Sequence, residues 1–314
     1  MESIPNKKIP LKYKNLANLT LIIVIIVILW GAFVRVTHSG AGCGEHWPLC
    51  DGQIIITDVH YEKLIEYTHR FTSGFSFILV ALLFFLSRRV KDYSLFKTAA
   101  FWSFFFITTE ALIGAGLVLF GWVKDNSSVA RALVIALHLI NSFALLYNLT
   151  LCSLTSSFPN LNISKANFRK SAKNHLLLIT LFLIVGAFGA VTALGDTLFP
   201  SNSLVEGFWE DLSITSHFLI RLRIFHPILA LILSVKLISL FINFEFKNDV
   251  SKYSSLLRNI PKLGIVLVIA QVILGVTNVL LLAPNYIQIS HLLLSIVLWM
   301  TFISIIFIEA DTPN

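Results

Sequence analysis

Charged side chains are scarce in this sequence. Asp, Glu, Lys and Arg make up 13% of the residues, whereas hydrophobic residues make up 56% and the mean hydropathy is +0.80. This balance excludes a soluble globular domain and indicates a polytopic membrane protein. The formal net charge of +7 does not indicate nucleic-acid binding, because the basic residues are spread between apolar runs rather than gathered in one patch.

Eight apolar runs are each long enough, at about 20 residues, to cross a bilayer as a helix. With eight spans, the basic segments at 7–14, 88–97, 165–173 and 247–262 all fall on one side of the membrane. The positive-inside rule therefore places both termini in the cytoplasm and predicts an integral protein of the cytoplasmic membrane. No cleavable signal peptide is expected, because lysines lead directly into a full-length first span. The predicted spans are 16–37, 66–88, 98–121, 130–154, 174–194, 217–243, 261–282 and 286–308.

Two stretches of the first half recur in the second half. Residues 31–40 resemble residues 186–195, and residues 110–114 resemble residues 271–275. The predicted fold is therefore all-α, with eight transmembrane helices arranged as two tandem-duplicated four-helix bundles. Each half has an even number of spans, so a pseudo-two-fold axis along the membrane normal relates the halves. The predicted units are an N-terminal half at 1–155, a cytoplasmic linker at 156–171 and a C-terminal half at 172–314.

Histidines occur in two matching pairs. His69 and His138 lie near the outer ends of the second and fourth spans, and His226 and His291 occupy the corresponding places in the second half. Two imidazoles at similar depth on facing helices suit axial ligation of a haem iron. Hydrogen bonding between helices is the alternative, and the duplication of the pair favours haem. A metal ion held by protein alone is disfavoured, because no third or fourth ligand converges.

Arginines at the outer ends of these helices have two interpretations. Arg70, Arg131 and Arg223 are candidate partners for haem propionates, because a guanidinium pairs with a carboxylate through two parallel hydrogen bonds. An arginine near a helix end also reaches the polar interface without any ligand. The sequence alone leaves both interpretations open, and Arg35 near the end of the first span is a further candidate.

The two halves differ in their acidic residues. Glu66 precedes His69 by one turn, whereas Arg223 occupies the matching place in the second half, and Glu110 is replaced by Gln271. A carboxylate in a low-dielectric pocket can accept a proton or stabilise a developing cation. The sequence therefore predicts a reactive first half and a stable redox site in the second.

Only three cysteines are present. Cys43 and Cys50 share a Gly/Pro-rich loop on the outer side, where an oxidising environment allows a disulfide. A structural disulfide is favoured over one that exchanges electrons, although the short exposed loop permits both. Cys152 lies in an apolar run and is interpreted as a buried packing residue.

Taken in order along nearly the whole chain, the motifs resemble those of the haem A synthases. These motifs are Val34-Arg35-Val36-Thr37-His38-Ser39-Gly40, Cys43 with Trp47-Pro48-Leu49-Cys50, Glu66-Tyr67-Thr68-His69-Arg70, Gly195-Asp196-Thr197-Leu198-Phe199-Pro200, Arg221-Leu222-Arg223-Ile224-Phe225-His226-Pro227, and His291.

The resemblance implies an oxidoreductase that converts haem O to haem A for terminal oxidases, by oxidising the C8 methyl group to a formyl group. It implies haem b as cofactor and haem O as substrate, and as partners a haem O synthase, an unidentified electron acceptor and membrane lipid. Some members have a second cysteine pair in the third outer loop, and residues 196–216 lack it. By resemblance, the site residues are catalytic Glu66, substrate-haem ligands His69 and His138, haem b ligands His226 and His291, and the redox pair Cys43 and Cys50.

Three other functions are less consistent with the sequence. A di-haem protein that only transfers electrons would explain the histidines but not the two carboxylates found in the first half alone. A transporter would show helices interrupted at the membrane midplane. A haem O synthase is a prenyltransferase that needs aspartate-rich motifs, and none is present. The oligomeric state is left open.

Overall fold

The computed structural model describes residues 9–57, 60–91, 93–161, 163–247 and 253–311. Within these ranges the protein is all-helical, and eight segments are long and apolar enough to cross a membrane, as predicted. The sixth span, Phe218–Glu245, contains two successive helices. In chain order the helices are α1 (Leu11–Val36), α2 (Tyr61–Ser87), α3 (Ser94–Leu119), α4 (Val129–Ser157), α5 (Lys165–Asn174), α6 (Leu176–Leu198), α7 (Leu204–Leu212), α8 (Phe218–Arg221), α9 (Phe225–Lys247), α10 (Ser255–Arg258), α11 (Ile260–Leu280) and α12 (Asn285–Glu309).

Helices are the expected elements here, because an apolar segment in hydrocarbon must satisfy its backbone polar groups internally. Several helices begin at a serine whose hydroxyl accepts a hydrogen bond from a backbone N–H of the first turn. Ser128 caps α4 in this way, Ser164 caps α5 and Ser203 caps α7. The short helices α5 and α7 lie mostly in segments that the sequence predicts to be linker or loop.

The sixth span is interrupted immediately before His226, whereas the sequence predicts one continuous run over 217–243. Turn residues separate the end of α8 at Arg221 from the start of α9 at Phe225. Pro227 explains the break, because a proline inside a helix clashes with the carbonyl four residues earlier. That carbonyl belongs to Arg223, and it accepts a hydrogen bond from the N–H of His226 at 3.3 Å. The break therefore places His226 in the first turn of α9.

Helices α4 and α12 lie at the centre of the molecule. Helix α4 packs against α1, α3, α6 and α12, and α12 also packs against α1 and α11. Trp299 of α12 sits among Phe143 and Phe182, and its indole N–H donates to the carbonyl of Phe143 at 3.0 Å. The main hydrophobic core extends from these rings through both parts of the chain.

The bundle has two distinct ends. The linker end carries α5, and Ser171 donates from there to the carbonyl of Ile306 in α12 at 2.9 Å. The opposite end, called the disulfide end below, carries the loop between α1 and α2. Helices α2, α4, α9 and α12 all start at the disulfide end. Parts of three predicted basic segments, residues 7–8, 92 and 248–252, lie outside the described residues.

Candidate active site

The four paired histidines lie within about three turns of the start of their helices at the disulfide end. All four side chains are half-buried. The side chain of His138 is 30% accessible although its helix is central, so open space adjoins the ring. The structure thus brings these side chains to a similar depth, and among the described residues no group of three metal-ligating side chains gathers around them. The four residues are His69, His138, His226 and His291.

The rings of His226 and His291 face each other with their centres 6.3 Å apart and their planes at 80°. A nitrogen–metal bond is about 2 Å long, so two imidazoles bound to opposite sides of one ion have centres about 6 Å apart. Nδ1 of His226 lies 3.1 Å from the carbonyl oxygen of Val185. Because a carbonyl only accepts, Nδ1 is the protonated nitrogen and Nε2 keeps a free lone pair. The ring spacing and the tautomer of His226 fit axial ligation of one haem iron, for which Nε2 of His291 would have to give up its 3.1 Å contact with the Gln271 amide nitrogen.

His69 and His138 form the other pair, in α2 and α4. Nδ1 of His138 lies 3.4 Å from Oε1 of Glu110 in α3. Glu110 also accepts hydrogen bonds from the amide of Asn141, at 2.5 Å, and from the hydroxyl of Ser142. This pair therefore differs from the pair of His226 and His291, because a carboxylate lies beside one of its rings.

A glycine on a neighbouring helix lies against each histidine ring. The closest approach is at Gly189, where a Cβ would lie 2.9 Å from Cε1 of His226. The repeat in the sequence pairs Gly31 with Gly186, but Gly186 contacts Phe143 instead. The glycine that touches His226 lies one turn later. The four glycine–histidine contacts are Gly31 with His69, Gly114 with His138, Gly189 with His226 and Gly275 with His291.

Glu66 is 3% exposed and held from two sides. Its Oε2 accepts the backbone N–H of Cys43 at 2.8 Å. Its Oε1 accepts two hydrogen bonds from Arg70, at 3.2 Å from Nε and 2.6 Å from Nη2. Three hydrogen bonds therefore hold the Glu66 carboxylate in one orientation, one turn from His69.

Cys43 and Cys50 form a disulfide that closes the loop over Glu66. Nη1 of Arg70 donates to the carbonyl oxygens of two residues inside this loop, His46 at 2.5 Å and Leu49 at 2.6 Å. One guanidinium thus joins the disulfide loop to the buried carboxylate.

A second ion pair connects the disulfide loop to α2. Nζ of Lys63 lies 2.5 Å from Asp51. The hydrogen bond from Lys63 holds the pKa of the Asp51 carboxyl below its ordinary value. The contribution of this pair to loop stability is therefore present at neutral pH and is lost only as the pH falls through that lowered pKa. Sequence patterns did not identify this contact.

Two of the arginines that the sequence predicts as propionate partners also donate hydrogen bonds to backbone carbonyl oxygens. Nη1 of Arg131 donates to the carbonyl oxygens of Lys124 and Asn126, each at 2.6 Å. Nη2 of Arg223 donates to the carbonyl oxygen of Phe199 at 2.6 Å, and its Nε lies 3.3 Å from Asp196. Both side chains therefore hold loops at the disulfide end.

Arg35 connects the two parts of the chain. Its Nη1 donates to Thr197 of α6 at 3.1 Å and its Nη2 to Gln288 of α12 at 3.2 Å. A cavity of about 450 Å³ opens beside these residues, lined also by His38 and Asp196. Arg35 is thus a link between helices that the sequence does not reveal, since its partners are 162 and 253 residues away.

A family model described as COX15-CtaA, cytochrome oxidase assembly protein, matches residues 14–303. The chain belongs to the COX15-CtaA family. The matched range includes every candidate site residue, from Cys43 to His291, and it includes all eight spans in whole or in part.

Curated proteins are similar to this chain over part or most of its length. A protein of Thermus thermophilus named protoheme IX farnesyltransferase is 41% identical over 281 residues, which are 89% of this chain and 45% of that protein. The heme A synthase of Bacillus cereus is 45% identical over 109 residues, which are 34% of this chain and 35% of that protein. A heme A synthase of Bacillus anthracis matches to the same extent. These alignments thus cover less than half the length of each relative.

Proposed function

We propose that the chain is a haem A synthase, which oxidises the C8 methyl group of haem O to a formyl group. The observation that carries this proposal is Glu66, a buried carboxylate held by the Cys43 N–H and by Arg70 one turn from His69. An electron-transfer protein that leaves haem unchanged does not need a fixed charge beside one of its two histidine pairs. Membership of the COX15-CtaA family and the similarity to Bacillus heme A synthases support the same activity.

The C-terminal pair is proposed to hold haem b. The spacing of the rings of His226 and His291 and the tautomer of His226 suit this role. When bound, haem b supplies reversible one-electron oxidation and reduction. The protein side chains orient this cofactor through the two imidazoles.

The N-terminal pair is proposed to hold the substrate haem O between His69 and His138. Removing a hydride or electrons from a methyl group leaves positive charge on its carbon, and a fixed carboxylate stabilises that charge. Glu66 is the residue proposed for this role, and the hydrogen bonds from Arg70 and from the Cys43 N–H, which hold its carboxylate in one orientation, support the proposal. Arg70, Arg131 and Arg223 remain candidate propionate partners, in addition to the loop contacts that they make.

We infer that the chain is a tandem duplication with its termini in the cytoplasm. The proposed halves are 1–155 and 172–314, joined by 156–171 and related by a pseudo-two-fold axis along the membrane normal. The repeated glycine–histidine contacts support the duplication. The basic residues at the linker end support the orientation. The disulfide then lies on the oxidising side of the membrane.

The proposed partners are a haem O synthase that supplies substrate and an acceptor that removes electrons. The farnesyltransferase activity in the name of the Thermus protein is not proposed here. The alignment leaves more than half of that protein unmatched, and this chain has no aspartate-rich motif. The second candidate function is di-haem electron transfer, which the two histidine pairs alone would allow.

Co-expression with a haem O synthase, followed by haem extraction and chromatography, tests the proposal. Haem A, or its hydroxylated precursor, should form only when the intact chain is present. Haem b alone, with haem O accumulating unchanged, would favour di-haem electron transfer. Absence of any haem would leave the histidines as hydrogen-bonding residues between helices.

Replacing Gly189 with alanine is expected to displace haem b. The new Cβ would lie 2.9 Å from the His226 ring, a separation that real side chains do not tolerate, so the imidazole must move. Gly74→Ala is a matched control, because a Cβ at Gly74 has nothing within 4 Å. Haem b per purified protein, measured as the pyridine haemochrome, should fall in Gly189→Ala and stay constant in Gly74→Ala. Equal haem content in both would contradict the assignment of His226.

Replacing Cys43 and Cys50 together with serine is expected to lower haem A formation about tenfold at most. The change frees the loop that presents the Cys43 N–H, and a hydrogen bond to a charged group contributes about 1.5 kcal/mol, close to a factor of ten. The contacts of Arg70 with Glu66 persist and limit the loss. Haem A yield from the double variant and from dithiothreitol-treated wild type should agree. A loss as large as that of a Glu66 variant would instead assign the thiols a direct redox role.

A further inference from the structure

Glu110 is a second carboxylate in the N-terminal half, and the function proposed above gives it no role. It lies in α3, and its contacts come from one face of α4. His138, Asn141 and Ser142 are at positions i, i+3 and i+4 of that helix, so their side chains project in the same direction. The Asn141 amide and the Ser142 hydroxyl donate to the two oxygens of Glu110, and the His138 ring is 3.4 Å from Oε1.

The orientation of Asn141 is itself determined by α3. Its side-chain oxygen accepts a hydrogen bond from Thr109 at 2.7 Å, and its nitrogen also donates to the carbonyl of Phe106 at 2.9 Å. Because the amide oxygen and the amide nitrogen both have hydrogen-bond partners, the amide group cannot rotate by 180° without losing these bonds. Asn141 therefore presents an N–H to Glu110 and fixes the carboxylate beside His138.

We propose that Glu110 is a positioning residue that orients His138 and raises its electron donation to a bound haem iron. This inference rests on the proposed function, since it requires His138 to be an axial ligand. A carboxylate only accepts, so Nδ1 of His138 carries the proton, and the lone pair of Nε2 would be free to bind an iron. Carboxylate–histidine–metal arrangements raise the basicity of the ligand and fix its ring.

Nδ1 of His138 lies 3.4 Å from Oε1 of Glu110 and makes no aligned hydrogen bond in the described part of the chain. Ligation of Nε2 sets the ring plane, and catalytic hydrogen bonds commonly tighten only when the partner is bound. The carboxylate is held by Asn141 and Ser142 independently of the ring. It is therefore in place before His138 adjusts.

The C-terminal half is built differently at the same place. Gln271 replaces the carboxylate, and its amide nitrogen is 3.1 Å from Nε2 of His291 and 3.2 Å from the His291 carbonyl. Nδ1 of His291 has no hydrogen-bond partner among the described residues. A neutral amide cannot supply the charge of a carboxylate. The two haem sites should therefore differ in potential, with the N-terminal iron held more strongly in its ferric state.

Glu110→Gln tests this inference, because it gives the N-terminal half the residue found in the C-terminal half. The protein is purified after co-expression with a haem O synthase, and each haem is followed by redox titration and by ferric low-spin electron paramagnetic resonance. The potential of the N-terminal haem should shift to more positive values and its g values should change. Its affinity for haem should fall about 10- to 100-fold. The C-terminal haem should keep its potential.

The sign of the shift separates positioning from a packing defect. Water entering a damaged site would favour the charged ferric haem and move the potential in the negative direction. Thr108→Val is the control, since the Thr108 hydroxyl bonds only to the Phe104 carbonyl of its own helix within the described ranges. If Glu110→Gln does not fold, Ser142→Ala removes one of the bonds that hold Glu110 and should give a smaller positive shift.

Two failures can be told apart. If His138→Ala retains the N-terminal haem signal unchanged, His138 is not a ligand and the ligand assignment in the proposed function fails. If His138→Ala loses that signal while Glu110→Gln binds haem with the wild-type potential and g values, only the present inference is overturned.

Discussion

Glu66→Gln should retain haem at both histidine pairs and lower haem A formation about 100- to 1000-fold, the usual cost of losing one preorganised electrostatic contact at a reacting centre. The amide has the shape of the carboxylate, so the fold should survive. It lacks the negative charge that would stabilise a cation developing on the methyl carbon. The glutamine side chain also points an N–H group at either the Cys43 N–H or Arg70. Both of these are donors, and one of them would therefore lose its acceptor.

The yield of haem A per bound haem is the quantity to measure. Glu62→Gln is a suitable control, because Glu62 is on the same helix and exposed, and it should keep wild-type yield. Normal haem A formation in Glu66→Gln would remove the catalytic role. Loss of haem together with activity would make Glu66 a binding residue instead.

Hydropathy was sufficient to predict the number of spans, because each crossing needs its own run of apolar residues. It was less informative about where helices end. Helix α2 starts at Tyr61 rather than near residue 66, since its first turn is polar and extends beyond the apolar run. The break before His226 needed a different observation, the steric effect of Pro227 on a helix. Short amphipathic helices such as α7 leave no hydropathy peak.

The side chains of the candidate site were predictable to the extent that helical spacing determines them. Glu66 and His69 share a face because they are three residues apart. The same rule, applied to His138, would have identified Asn141 and Ser142 as neighbours. The loop contacts of Arg70 were not predictable, since they depend on the path of a loop rather than on a repeat. Its donors hold the carbonyls of His46 and Leu49, which any residue type would present.

His226→Ala should eliminate haem b from the purified protein, lowering the haem b signal of the pyridine haemochrome to background. Alanine removes one of two axial nitrogens and also the hydrogen bond to the Val185 carbonyl. His60→Ala is the control, because His60 is exposed and its side chain does not cap α2. That variant should retain haem b in full.

The same variant separates a ligand from a residue that only joins helices. A histidine that served as a hydrogen bond between α9 and α6 would contribute about 1 kcal/mol to packing, so its loss would lower thermal stability and leave haem per folded protein unchanged. A ligand gives the opposite pattern, with haem lost from protein that still purifies as a folded species. His291→Ala should reproduce that pattern. The centres of the His291 and His226 rings are 6.3 Å apart, and one histidine alone would supply only one of the two axial ligands. Retention of haem b in both variants would exclude His226 and His291 as its ligands. Helix packing alone would then explain the spacing of the two rings.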